Sequence, residues 1–160
     1  MRASHVRTGL LLLCMLLTVL FIFSNSLENG GSSNAQSGSV SDFLGKLFHL
    51  PPEVYEGDLF RGLVRSLAHM AEFALLGAEA ALLIWNIRFS WASVAFGGLG
   101  CFLVALIDEV IQFFVPGRAS ELSDVFLDTL GVLCGMALVL LLRWMTNALK
   151  KKRSRENRLV

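Results

Sequence analysis

Between Arg7 and Glu28 the chain runs for 20 residues without a charge, centred on LLLCMLLTVLFIF. A helix of about 20 residues, rising about 1.5 Å per residue, matches the thickness of a bilayer's hydrocarbon core. Three more apolar segments follow: Leu67 to Ile87, Phe89 to Ile107 with its continuation to FFVPG, and Asp124 to Leu142. Lipid offers no partner to a peptide group, so such segments cross as helices that satisfy their own backbones. The expectation is an all-α, polytopic membrane protein: a bundle of four transmembrane helices with a short amphipathic interfacial helix on the outer side. The spans are placed at 7–26, 66–87, 90–114 and 123–144, within a membrane domain of residues 1–147 followed by a basic cytoplasmic tail, 148–160.

Composition excludes the main alternatives. With 54% hydrophobic and 17% charged residues, the chain lacks the roughly one-quarter charge that covers a soluble domain, and it is too apolar to be disordered. A net charge of +1, from 14 basic and 13 acidic residues, argues against a nucleic-acid partner. The first segment also fits a signal peptide. Its cleavage candidate, Ser24-Asn25-Ser26, has serines where small alanines are usual, so the segment is read as a retained anchor. Cys14, Cys101 and Cys134 lie in apolar runs without CxxC spacing or a paired His, and are read as small buried apolar residues.

Lys and Arg in short loops set orientation. Arg2, Arg7, Arg88, Arg143 and the cluster from Lys150 to Arg158 fall on one side, which predicts cytoplasmic N- and C-termini. The opposite side receives residues 27–65. There NGGSSNAQSGSVS (29–41) reads as a flexible linker, and Val40, Phe43, Leu44, Leu47 and Phe48 repeat at helical spacing, placing the interfacial helix at 40–50 with a cap near Ser41 or Asp42 and a stop at Pro51-Pro52.

The intramembrane polar residues carry most of the functional information, because each costs about 2.5–3.5 kcal/mol on insertion scales unless it faces a partner or water. On this topology His69 and Glu72 share one face of the outer part of span two. Asp108, Glu109 and Gln112 lie in the outer part of span three, Arg118 in the outer turn, and Asp124 and Asp128 in the outer part of span four. On span four the stripe continues as Gly131 and Gly135, a small-xxx-small pair for close helix packing and a candidate oligomerisation face. Glu79 lies deeper and reads as a buried structural acid. Ser120 reads as a helix N-cap near the same outer end.

A His, several crowded carboxylates and an Arg can work as a general acid/base system with an anion clamp. The same oxygens suit a divalent cation, although no dedicated metal site or resident cofactor is expected from the spacing. The bland alternative is interhelical glue, such as Arg118 with Glu109 or His69 with Asp108.

SNS after span one, RSLAHMAEFALLG in span two and LIDEVIQFFVPGRASELSDVFLDTLGVLCG around span four resemble the VanZ-like family of small bacterial membrane proteins. The resemblance covers residues 6–145 and rests on His69, Glu72, Asp108, Glu109, Gln112, Pro116, Gly117, Arg118, Ser120, Asp124, Gly131 and Gly135. This chain departs from it at Asp128, where the family commonly carries an amide. The resemblance implies a multi-pass bacterial plasma-membrane protein, and the family's namesake is associated with resistance to the glycopeptide teicoplanin. It supplies no reaction.

The reading that follows is an outward-facing polar pocket that binds or modifies a cell-envelope component, such as a lipid-linked precursor or a glycopeptide. In its enzymatic version His69, Glu72, Asp108 and Glu109 are the catalytic candidates, and Gln112, Arg118, Ser120, Asp124 and Asp128 bind. In its non-enzymatic version the same cluster is scaffold. Ion-coupled transport ranks last, since only Glu79 reaches deeper.

Overall fold

Among the described residues, four helices are long and apolar enough to cross a membrane: His5–Ser26, Asp58–Ile87, Trp91–Phe113 and Leu122–Lys152. They belong to six helices in a computed structural model that describes residues 2–118 and 121–157: α1 (Arg2–Ser26), α2 (Gly30–Leu47), α3 (Pro52–Tyr55), α4 (Asp58–Ile87), α5 (Trp91–Phe113) and α6 (Leu122–Glu156). Among the described residues there is no strand. The chain is a polytopic helical membrane protein.

α4 is the hub, packed against every other helix of the bundle, and its closest partner is α6. That pairing depends on glycine. A side chain at Gly77 would collide with the Val132 carbonyl, one at Gly131 with the Met70 carbonyl, and one at Gly135 with the Ala74 carbonyl. Small residues allow the two backbones to touch, which is the main attraction available between helices already surrounded by apolar lipid. The Gly131/Gly135 stripe therefore packs as expected, but against α4 of its own chain. That face is thus occupied by Met70 and Ala74 of the same chain.

Beside this crossing Ile22, Phe73, Leu76, Cys101, Ala105, Val132 and Met136 form the buried core. Leu10, Leu13, Leu17 and many other apolar residues point outwards, as a lipid-facing surface requires. Cys14 and Cys134 are among the exposed residues, so only Cys101 matches the buried reading of all three. An outward thiol in a span meets lipid, and its apolar surroundings in the sequence are those of the bilayer.

The largest departure from expectation is α2. The supposed linker 29–41 is helical, and the interfacial helix occupies Gly30–Leu47 instead of 40–50. Asn29 caps it, its side chain accepting a hydrogen bond from the Ser32 N–H at 2.9 Å, so the cap lies well before Ser41 or Asp42. Glycine and serine are weak helix formers alone, yet here they make a packing face: Gly30, Ser33, Gly38, Ser41 and Gly45 are buried. A side chain at Gly45 would enter the Tyr55 ring, and one at Gly30 would strike the Gly117 carbonyl. Phe43, Leu47 and Phe48 point away, 55–67% exposed. α2 is thus amphipathic with its small face inward and its large apolar face outward. It ends at Phe48, with His49 at φ 57°, followed by Pro51 and Pro52, which begin the single turn of α3.

Boundaries shift elsewhere for related reasons. α4 begins at Asp58, two turns before the expected 66, because Phe60 and Val64 extend its apolar face. α6 continues through the basic segment to Glu156, so the part of 148–160 that is described is mostly helix. At that end Asn86 Nδ2 donates to Thr8 Oγ1 at 2.7 Å, and Arg143 lies 6.0 Å from the centre of the Trp85 ring. The start of α1, the end of α4 and the latter half of α6 therefore share one end of the bundle, and α2 with the 114–118 turn marks the other.

Candidate functional site

The polar residues meet at the α2 end. The turn after α5 carries Arg118 there, and two contacts fix it. Gly117 adopts φ 78°, a left-handed conformation that glycine takes without strain, and the Gly30 N–H donates to the Pro116 carbonyl at 3.2 Å. The start of α2 is so seated on the Pro116-Gly117 turn, close enough that Gly30 itself has no room for a side chain.

Arg118 then reaches back across the end of α1. Its Nε donates to the Glu28 carbonyl at 3.1 Å, one terminal nitrogen to the Asn25 carbonyl at 2.5 Å and the other to Gln112 Oε1 at 3.4 Å. The expected pairing of Arg118 with Glu109 is replaced by these acceptors, of which the Asn25 carbonyl is in the last turn of α1 and the Glu28 carbonyl just beyond it, at the helix end that favours a cation. Three of the five guanidinium N–H groups are used, and two remain for another acceptor. Burial, and after it the neighbouring Arg65, pulls the Arg118 guanidinium below its ordinary value, while Asp108, Glu28 and Glu72 oppose that shift.

From Arg118 the network continues inward. Gln112 Nε2 donates to Asp108 Oδ2 at 2.8 Å and to Ser26 Oγ at 3.4 Å, and Ser26 Oγ donates to Asp108 Oδ1 at 2.5 Å. Asp108 is fully buried with both oxygens bonded. The one-turn spacing of Asp108 and Gln112 on α5 makes this arrangement: the amide serves at once as donor to the acid and acceptor from the Arg. Glu109, turned towards α6, accepts from the Glu121 N–H at 2.6 Å through Oε1, and its buried Oε2 has no partner. It caps the entry to α6.

His69 and Glu72 stand differently. They share a face of α4 with Arg65, and all three line a cleft of about 340 Å³ between α2 and α4. Val40, Leu44, Val64, Leu67 and Ala68 form its apolar wall, and Asn25, Gln36, Ser37 and Arg118 add to its polar end. Glu72 Oε1 accepts from Asn25 Nδ2 at 2.9 Å, while its buried Oε2 has no partner. His69 Nδ1 is likewise buried and unpartnered. The expected His69–Asp108 hydrogen bond is therefore not formed, although the two residues, with Asp128, bring one ligand atom each to within 4.8 Å of one another.

On α6, Asp124 and Asp128 are one turn apart and line a smaller cleft together with Arg65, Ser66, His69 and Gln112. Asp128 is 3% exposed. Ser120 lies outside the described residues. Glu79 is deeper, accepting from Thr18 Oγ1 at 3.1 Å, which supplies the partner that the sequence left unidentified.

Sequence reasoning missed Arg65, Asn25, Ser26 and Thr18. Arg65 was within reach, since 65, 69 and 72 are helical spacings on one face. Asn25 and Ser26 had a signal too, as the polar close of an otherwise uncharged span. Thr18 had none, being one hydroxyl inside an apolar run.

The profile described as VanZ/LLP1 matches residues 10–143. No curated protein and no solved structure matches the chain significantly.

Proposed function

The chain belongs to the VanZ/LLP1 family, and from that premise we propose that it is a bacterial plasma-membrane protein whose α2 end faces outward and binds an anionic, lipid-linked cell-envelope component. The observation that carries this reading is the cleft between α2 and α4. It joins the apolar residues Val40, Leu44, Val64 and Leu67 to the polar Arg65, His69, Glu72 and Arg118. A lipid tail would lie along Val40, Leu44, Val64 and Leu67, and a phosphate or carboxylate would meet Arg65 and the two spare N–H groups of Arg118. His69 Nδ1 and Glu72 Oε2, both without partners, stand beside that position as the groups able to exchange a proton with the bound headgroup.

Orientation is supported by the basic residues. Arg7, Arg88, Arg143 and Lys150 to Lys152 gather at the end opposite α2, and such a bias marks the cytoplasmic side. Both termini are then cytoplasmic. An outward cleft that holds an envelope precursor would alter how a glycopeptide such as teicoplanin meets its target. Competition at the outer surface would then be the route to changed susceptibility.

A scaffold reading is favoured for one part of the cluster only. Asp108, Gln112 and Ser26 bond among themselves and to Arg118, as interhelical glue does, whereas in the cleft His69 Nδ1 and Glu72 Oε2 are left without partners.

The test has two arms. Reporter fusions after Arg88 and Arg118 establish the side: a cytoplasmic Arg118 contradicts the reading. Native mass spectrometry of the full chain with a polyprenyl diphosphate lipid, against phosphatidylcholine, measures binding. Preferential retention that falls at least ten-fold in Arg65→Gln supports the proposal, and equal retention of both lipids contradicts it. Teicoplanin susceptibility of cells expressing wild type, His69→Gln or Glu72→Gln then measures the consequence.

A further inference from the structure

Behind the cleft, three side chains from three helices point at one another: His69 of α4, Asp108 of α5 and Asp128 of α6 each bring a ligand atom to within 4.8 Å of the other two. Asp128 is 3% exposed; it lines the small cleft beside His69 and Gln112, and hydrogen bonds are found for its neighbours Asp108 and Gln112 but for Asp128 with no described residue. A buried carboxylate without a partner is among the costliest groups a protein can hold, and more so beside a second carboxylate. A bound cation removes both costs at once.

We propose that His69, Asp108 and Asp128 form a binding site for a single divalent transition-metal ion of the Zn²⁺ or Mn²⁺ class. One imidazole and two carboxylates make a mixed nitrogen and oxygen donor set, which suits these ions better than the all-oxygen sets of Ca²⁺ and Mg²⁺. Ligand atoms held at about 2.0–2.2 Å from an ion lie about 3–4 Å apart, so the cluster needs only a small inward rotation of side chains.

Supporting residues are in place. Ser26 and Gln112 hold both oxygens of Asp108, and Arg118 holds Gln112. A ligand oriented by a chain of hydrogen bonds is the usual companion of a metal site. His69 and Asp128 also line a small cleft of about 10 Å³ with Asp124 and Arg65, room for about one water. Three protein ligands with an adjacent water position describe an open site, in which the ion would face whatever enters from the α2 side. The site stands whether or not the larger cleft holds a lipid.

The experiment uses the full chain in detergent micelles, purified without a histidine tag, stripped with a chelator and equilibrated with Zn²⁺ or Mn²⁺ alone. Bound metal is counted by mass spectrometry, and the visible spectrum of a Co²⁺-loaded sample reports the ligand field. The expected result is one ion per chain in wild type and in Glu79→Gln, a buried acid outside the cluster, with affinity at least ten-fold weaker in Asp128→Asn and in His69→Gln. Asp128→Asn keeps side-chain shape, so it decides the matter even where His69→Gln fails to fold. Wild type that takes up less than a tenth of an equivalent of either ion, or Asp128→Asn that loads like wild type, overturns the proposal.

Discussion

Two halves of one polar cluster, which meet where Asp108 comes within 4.8 Å of His69 and Asp128, are built on opposite principles. On the α1 and α5 side, Arg118, Gln112, Asp108 and Ser26 form a chain in which each member bonds the next, and the Arg also closes the carbonyl end of α1. On the α4 and α6 side, His69 Nδ1 and Glu72 Oε2 are buried without partners, and Asp128, 3% exposed, lines the small cleft. The first half is a brace. A brace needs complete satisfaction, because an unpaired buried polar group costs about 1–3 kcal/mol. Single unpartnered oxygens also occur on the supporting acids Glu79 and Glu109; what sets the second half apart is that its open groups line the two clefts.

That contrast orders the effects of substitution. The largest belongs to the helix crossing on which both halves depend. Gly135→Val drives a branched side chain into the Ala74 carbonyl, and overpacking of this kind costs about 1–3 kcal/mol even where side chains can yield. Backbone cannot yield so easily, so monodisperse protein should be lost on size-exclusion chromatography. Recovery of normal protein would mean that the α4–α6 contact is looser than described.

Next comes the brace. Asp108→Ala strands Ser26 and Gln112, at a cost of about 3 kcal/mol for two buried groups, read as a lowered thermal midpoint in detergent. Arg118→Gln loses the charge-assisted bonds to the Asn25 and Glu28 carbonyls and should cost about 2 kcal/mol. Both variants should weaken α2 docking, seen as faster proteolysis between Glu28 and Lys46. No loss is expected in the open half: Asp128→Asn without metal strands no partner and removes an unpartnered carboxylate beside Asp108, so the thermal midpoint should hold or rise.

The four spans were legible because an uncharged run of bilayer length has one solution, and the site's end of the bundle was legible because His69, Asp108, Arg118 and Asp124 are costly in lipid unless they meet. Two things were hidden. The first part of α2, to Ser41, reads as a linker because its Gly and Ser residues have low helix propensity, and only the surface of α4 and the Pro116-Gly117 turn shows them as a packing face. The division of the cluster was hidden as well. Asp108 and Asp128 look alike in sequence, each one turn from another polar residue on its own helix, and their difference lies in Ser26, contributed by a helix 82 positions away from Asp108.

Thermal unfolding of Asp108→Asn and Asp128→Asn, compared in the chelator-treated full chain, tests that division most directly. The substitutions are chemically identical, and an Asn at 108 cannot accept from both Ser26 and Gln112, since one of its two terminal atoms is a donor. The account predicts a clear fall in the midpoint for Asp108→Asn and none for Asp128→Asn. Equal falls, or a larger one at 128, would show that both acids serve the same support and would contradict it.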